Sequence, residues 1–233
     1  MKQTNIEMIR ETALQFLYLE VQPNPLIPLF TDHPVFESAI TYDPINGEMV
    51  NIVEDNMALQ RIRDEYEKRI KKADLSEIFL IIRKNYHLTF LKFSKQYYSA
   101  KDFAKYLSYA WVNSENPNQD VNVNIKTLIN WFSRAEKKYL MSKKDYEVFD
   151  SLPAEVEIYR GIGVGRSAEK GLSWTNDLKT ADFFANRFNR GKDKGYILKG
   201  KIKKEDVFAF FNSRGENELL CNSSKIYDLK IVK

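Results

Sequence analysis

The sequence predicts an α+β protein, with a mainly helical N-terminal region over 1–150, including a hairpin near 39–53, followed by a strand-rich region over 151–233. Three observations predict this class. Apolar residues recur at helical spacing through most of the first region. Beyond Pro153 the pattern changes to short extended runs. Chain breakers separate the periodic stretches, above all the prolines of 21–34 and the dipeptide Asn46-Gly47.

Over 5–20, Ile9, Ala13, Phe16 and Leu17 fall on one face of an amphipathic helix. Pro23, Pro25, Pro28 and Pro34 cannot continue it, so 21–34 is expected to be an extended connector. Residues 39–53 form a hairpin that turns at Asn46-Gly47, a pair suited to positive backbone angles. Helical spacing returns over 55–70, 76–86 and 99–112, with Ser76 and Ser99 as N-caps. A further helix over 125–139 has Leu128, Ile129, Phe132 and Ala135 on its apolar face. Tyr106, Tyr109, Trp111 and Trp131 lie inside these helical patterns and are assigned to the core. In the C-terminal region the strands are 156–160, 195–201, 207–211, 216–221 and 225–232. One helix interrupts them over 177–189, capped by Asp177, with Ala181, Phe184, Ala185 and Phe188 on its buried face.

Composition narrows the function classes. With 233 residues and 43% hydrophobic content, the chain can bury a core and hold one large domain or two small ones. Its net charge of +4 is spread among interleaved acids and bases, which tolerates an anionic ligand and makes a nucleic-acid partner unlikely on charge grounds. The single cysteine, Cys221, excludes an internal disulfide and a multi-cysteine metal site. His33 and His87 show no metal-ligand spacing, so no metal is expected. Glu7, Arg10 and Glu11 interrupt the N-terminal apolar pattern, and no stretch is long enough to span a bilayer. The expectation is a cytoplasmic protein with no membrane partner.

Three segments of the C-terminal region carry candidate chemistry. On a strand, Glu216 and Glu218 would present carboxylates about 7 Å apart on one face, a negative potential suited to a developing positive charge. The plain alternative is an edge strand with a solvated acidic face. Arg160 stands where a strand runs into Gly161, so its guanidinium suits a pyrophosphate or ribose and the glycine permits close approach to the backbone; the alternative is a surface ion pair. The run Gly161-Ile162-Gly163-Val164-Gly165 is not followed by the long helix that a dinucleotide loop requires, and is read as a loop beside the site. Ser173-Trp174-Thr175 would turn hydroxyls one way and the indole the other, although a serine before a helix is more often a cap or turn residue.

Taken together, Tyr159-Arg160-Gly161, Ser173-Trp174-Thr175 and Glu216-Asn217-Glu218 resemble the arginine, serine, glutamate signature of toxin-like mono-ADP-ribosyltransferases. The motif resemblance covers about 150–233. A looser one, which takes in Ser114-Glu115-Asn116-Pro117-Asn118 and 212–218, extends to most of the chain and is with phage and prophage proteins of this type. The resemblance implies an ADP-ribosyltransferase-like split β-sheet, NAD as substrate, no metal, and a protein acceptor such as a host or defence protein.

By the same resemblance Arg160 holds the NAD phosphates or ribose, Gly161 takes the nicotinamide amide through its backbone, and Ser173 positions the catalytic glutamate, Glu218. Glu218 hydrogen-bonds the ribose and stabilises the oxocarbenium-like transition state. Glu216 orients or deprotonates the acceptor, and a glutamate at that position is associated with arginine acceptors. The implied NAD contacts are Tyr159, Arg160, Gly161, Ser173, Trp174, Thr175, Phe184 and Phe188. The segment 208–215 is the implied acceptor loop, with Phe210, Phe211, Asn212 and Arg214 near the target. The family usually has Ser-Thr-Ser where this chain has Ser173-Trp174-Thr175, so the middle residue is bulkier here. The runner-up functions are an NAD glycohydrolase and a catalytically idle phage-type inhibitor that binds a host or defence protein.

Overall fold

The computed structural model describes residues 2–115, 117, 120–164, 171–187 and 194–232. It is mixed α+β, with helices first and an antiparallel sheet after them. The chain divides into two compact units, Met1–Val123 and Asn124–Lys233. The change of periodicity near residue 150 therefore lies inside the second unit, whose first elements are helices.

In the first unit, α1 (Ile6–Leu17) begins at Asn5, whose side chain accepts from the Met8 N–H at 3.2 Å and so satisfies one of the free donors of the first turn. Its inward face carries Ile9, Ala13, Phe16 and Leu17, as the spacing predicts. The proline connector turns back on itself instead of running extended, with an antiparallel bridge between Pro23 and Thr31 and another between Phe30 and Ser38. It buries His33, whose Nδ1 accepts from the Val35 and Phe36 N–H groups at 3.1 Å. Burial lowers that imidazole to about 4.

β1 (Ile40–Asp43) and β2 (Glu48–Asn51) form the expected hairpin, with Gly47 at φ 72° in the turn. α2 (Asn56–Ile70) is capped by Asp55. α3 (Leu75–Ile81) is capped by Asp74 rather than Ser76. Asp74 accepts from Glu77 N–H while the Glu77 side chain returns the bond, and Ser76 is drawn into the cap as a donor to Asp74 at 2.7 Å. The expected helix over 76–86 stops at Ile81, and α4 (His87–Ser94) follows. Most of α4 is buried, so it lacks the one-sided stripe by which a sequence announces a helix. α5 (Ala100–Asn113) starts at Ser99 as expected. Phe79 stacks on Tyr106 at 4.5 Å and meets Phe90 edge-on at 5.7 Å, so the aromatic residues here serve packing.

The second unit opens with α6 (Ile125–Arg134), α7 (Lys137–Leu140) and α8 (Lys143–Ser151). The single helix expected over 125–139 is broken at Ala135, beyond which Lys137 donates to the Val207 carbonyl at 2.7 Å. α8 has a legible start, since Ser142 accepts from Asp145 N–H in a cap spaced as the sequence shows. The sheet contains β3 (Glu155–Ile162), β4 (Ser173–Thr175), β5 (Tyr196–Lys203), β6 (Val207–Phe211), β7 (Glu218–Cys221) and β8 (Tyr227–Ile231). Their order is β6-β7-β4-β3-β5-β8, every neighbouring pair antiparallel. β6 and β7 are buried throughout, which explains the continuous apolar runs Val207 to Phe211 and Leu219 to Cys221. α9 (Leu178–Asn186), capped by Asp177, packs Ala181 and Ala185 against Tyr159 and Ile197. Among the described residues no helix is long and apolar enough to cross a membrane.

Candidate functional site

The order of strands brings the three sequence segments onto neighbours. β3 carries Arg160, β4 carries Ser173 to Thr175, and β7 begins at Glu218. Register aligns Tyr159 with Thr175, Thr175 with Glu218, and Glu218 with Phe211. Adjacent strands lie about 4.8 Å apart, so this row is a contiguous patch on one face of the sheet, the face of Tyr159 and opposite to that of Arg160.

Alternation along β3 separates its residues. Val156, Ile158 and Ile162 are buried, and Arg160 belongs to their face, whereas Tyr159 and Gly161 lie on the other, beneath α9. Arg160 turns its Nη1 onto the Ser173 carbonyl. Its Nε is buried without a hydrogen-bond partner. Burial lowers the guanidinium to about 10, and the negative charge of Glu218 partly offsets that drop. Gly171 lies against the same guanidinium so closely that a side chain at 171 would displace it. Gly171 is itself held by Trp174, whose indole N–H donates to the Gly171 carbonyl at 3.0 Å.

Trp174 is 2% exposed, so it acts on the site by holding Gly171 and has no open ring face for nicotinamide. This revises its expected role as an NAD contact. Gly161 also differs from expectation. The space its missing Cβ would fill is taken by the α9 backbone at Ala181 and Ala185, so the glycine here permits close helix packing. Phe184 is half-buried on α9, with the Arg187 guanidinium 4.7 Å from its ring centre. Phe188 and the 165–170 part of the glycine loop lie outside the described residues.

The acid pair is built differently from the strand expectation. β7 starts at Glu218, not Glu216, because Gly215 (φ 71°) and Asn217 (φ 45°) both adopt left-handed backbone that a strand cannot contain. Glu216 therefore sits in the loop before β7. Asn212 closes that loop at two points: its carbonyl accepts from Gly215 N–H and its side chain from Asn217 N–H, both at 3.0 Å. Thr175 anchors it further by donating Oγ1 to the Glu216 carbonyl at 2.9 Å. The same hydroxyl accepts from Asp177 N–H at 3.0 Å, which ties the loop to the start of α9.

The two carboxylates nevertheless converge on one cation. Arg214 Nη2 stands 2.9 Å from Glu216 Oε2 and 4.0 Å from Glu218 Oε2. The Glu218 side chain is 7% exposed and that of Glu216 26%. A buried carboxylate at the head of a strand, a half-buried one beside it and a guanidinium between them make a site able to hold a cationic group.

Several expected acceptor residues are relocated. Phe210 and Phe211 belong to β6 and are 1% and 6% exposed, so they are core residues rather than parts of a recognition loop. Hydrogen bonding fixes them there, with Phe210 N–H directed to Met141 Sδ at 3.2 Å. The loop is confined to 212–217, and of the four expected acceptor residues it contains Asn212 and Arg214. Register also gives the position opposite Glu218 to Thr175, with Ser173 opposite Leu220. Sequence reasoning assigned the orienting role to Ser173; Thr175 was visible as the next hydroxyl of the same face. A shallow groove of about 600 Å³ between Lys137, Phe149 and Lys204 shares no residue with this constellation. Among the described residues no cluster of His, Cys, Asp and Glu converges as a metal site would need.

Comparison of the chain with protein families, with curated proteins and with solved structures finds no match.

Proposed function

We propose that the protein is a mono-ADP-ribosyltransferase that transfers ADP-ribose from NAD to an arginine of a protein acceptor and releases nicotinamide. The proposal includes the finer fold, an ADP-ribosyltransferase-like split sheet, and the setting that goes with it, a bacterial cytoplasm with a host or defence protein as acceptor. One observation carries the reading. Arg160, partly buried with a buried and unpartnered Nε, and Glu218, buried at the head of β7, belong to strands that flank the hydroxyl-bearing β4. An orphaned cationic donor is costly unless an anion meets it, and the phosphates of NAD are anions of the right chemistry.

The reaction requires little covalent help, because the glycosidic carbon of NAD already bears a cationic leaving group. Arg160 holds the phosphate or ribose end. Glu218 lies against the ribose and stabilises positive charge as the bond to nicotinamide lengthens. Glu216, more exposed and in the loop, receives the acceptor guanidinium and takes its proton. Thr175 sets the height of that loop through the Glu216 carbonyl.

Labelled NAD incubated with bacterial lysate and the wild-type protein is expected to label a discrete band, with nicotinamide released in step. Glu218→Gln is expected to lower both by about 10²–10³-fold. Nicotinamide release without protein label would make the protein an NAD glycohydrolase. Neither signal, from protein of native circular dichroism, would overturn the catalytic reading in favour of a binding module.

A further inference from the structure

Arg214 lies on the loop that carries Glu216, four residues before Glu218, and its guanidinium meets both carboxylates. The loop directs it there. The left-handed angles at Gly215 and Asn217 and the two Asn212 bonds fold 212–217 back upon the start of β7, so a side chain that is still 49% exposed ends in the acid pair. A guanidinium held by the acid that is to receive an acceptor guanidinium is an acceptor already in position. We propose that Arg214 is a modification site: the protein ADP-ribosylates its own Arg214 in cis. The inference rests on the function proposed above and deepens it.

The step balances without a further reagent. The bond from the nicotinamide ribose C1′ to the nicotinamide nitrogen breaks, and its electron pair leaves with neutral nicotinamide. An Arg214 Nη forms the new bond to C1′, and the proton it gives up passes to the Glu216 carboxylate and then to water. The guanidinium is within hydrogen-bond distance of that carboxylate before any rearrangement. Once attached, the ADP-ribosyl group brings two phosphate charges beside Glu216 and Glu218 and occupies the position an external guanidinium needs. Self-modification therefore limits further turnover.

The test uses the full chain with NAD alone, followed by intact mass and fragmentation of the 212–217 peptide. A parallel reaction contains agmatine as a free guanidine acceptor. The expected result is a gain of one ADP-ribosyl mass on Arg214, at a rate per molecule independent of protein concentration, absent from Arg214→Lys and reduced about 10²-fold or more in Glu218→Gln. Transfer to agmatine with Arg214 unmodified, or with the mass on another residue, would overturn the inference and leave the proposed function standing. A rate per molecule that rises with protein concentration would overturn modification in cis. No transfer to agmatine and no nicotinamide release would overturn both.

Discussion

Replacing Glu218 by glutamine keeps the side-chain shape and removes its charge, and the cost falls on Arg160. That guanidinium sits at about 10, well below its ordinary range, because burial disfavours its charged form and Glu218 restores only part of the loss. At about 1.4 kcal/mol per pH unit the charged form carries a penalty of about 3 kcal/mol even with the carboxylate present. The folded protein releases this proton at lower pH than the unfolded chain, so the penalty is complete below pH about 10 and relieved only well above it; at pH 7 it acts in full. Glu218 acts on Arg160 through its charge, and Arg160 keeps its bond to the Ser173 carbonyl, so the expectation for Glu218→Gln is about 1–2 kcal/mol, below the about 3–5 kcal/mol of breaking a contacting buried pair. Arg160→Met removes the cation and leaves Glu218 facing Arg214. The double variant removes both ends of the Arg160–Glu218 interaction, so its cost should fall short of the sum of the single ones by about 1–3 kcal/mol. Hydrogen exchange of the β7 amides at pH 7 measures this within the second unit alone. Additivity within about 0.5 kcal/mol would refute the electrostatic coupling of β3 to β7.

Three further outcomes follow from single residues. The His33 imidazole, depressed to about 4 in the fold, should stay neutral between pH 6.5 and 4 while the unfolded chain takes up a proton, so the first unit loses up to about 3 kcal/mol as pH falls through that window. An NMR titration showing His33 protonated at pH 6 would contradict it. Thr175→Val should cost more transfer activity than Ser173→Ala, since Thr175 stands opposite Glu218 and holds the Glu216 carbonyl; a larger loss in Ser173→Ala would return the orienting role to the serine. Gly161→Ala drives a methyl group into the α9 backbone and should destabilise the second unit by about 2–3 kcal/mol, measured by urea unfolding. An unchanged midpoint would show that α9 can move away.

Much of the fold was legible because it follows local rules. Asn46-Gly47, Ser99 and Asp177 mark a turn and two caps by side-chain chemistry that operates over a few residues, and each stands where expected. The failures have physical causes of the opposite kind. α4 is hidden because burial on most sides erases the stripe that periodicity detects. The break at Ala135 contains neither glycine nor proline; beyond it Lys137 binds a carbonyl of β6 some seventy residues later, which no window of local sequence can report. Ser76 lost its cap to Asp74 because Asp74 and Glu77 form a reciprocal capping box that starts the helix two residues earlier.

The site was legible in its residues and not in its geometry. A period of two put Glu216 and Glu218 on one strand face, yet Asn212, Ser213, Gly215 and Asn217 are turn formers, and their density was itself a signal against a strand beginning at Glu216. The consequence is chemical. On a straight strand two adjacent carboxylates would repel. With the chain folded back, Arg214 enters between them and offsets that repulsion. The loop therefore supplies the counter-charge that lets an acid pair exist before substrate arrives. Under the proposed function any cationic acceptor must displace Arg214 to reach Glu216, so external transfer would compete from the outset with a guanidinium of the chain itself.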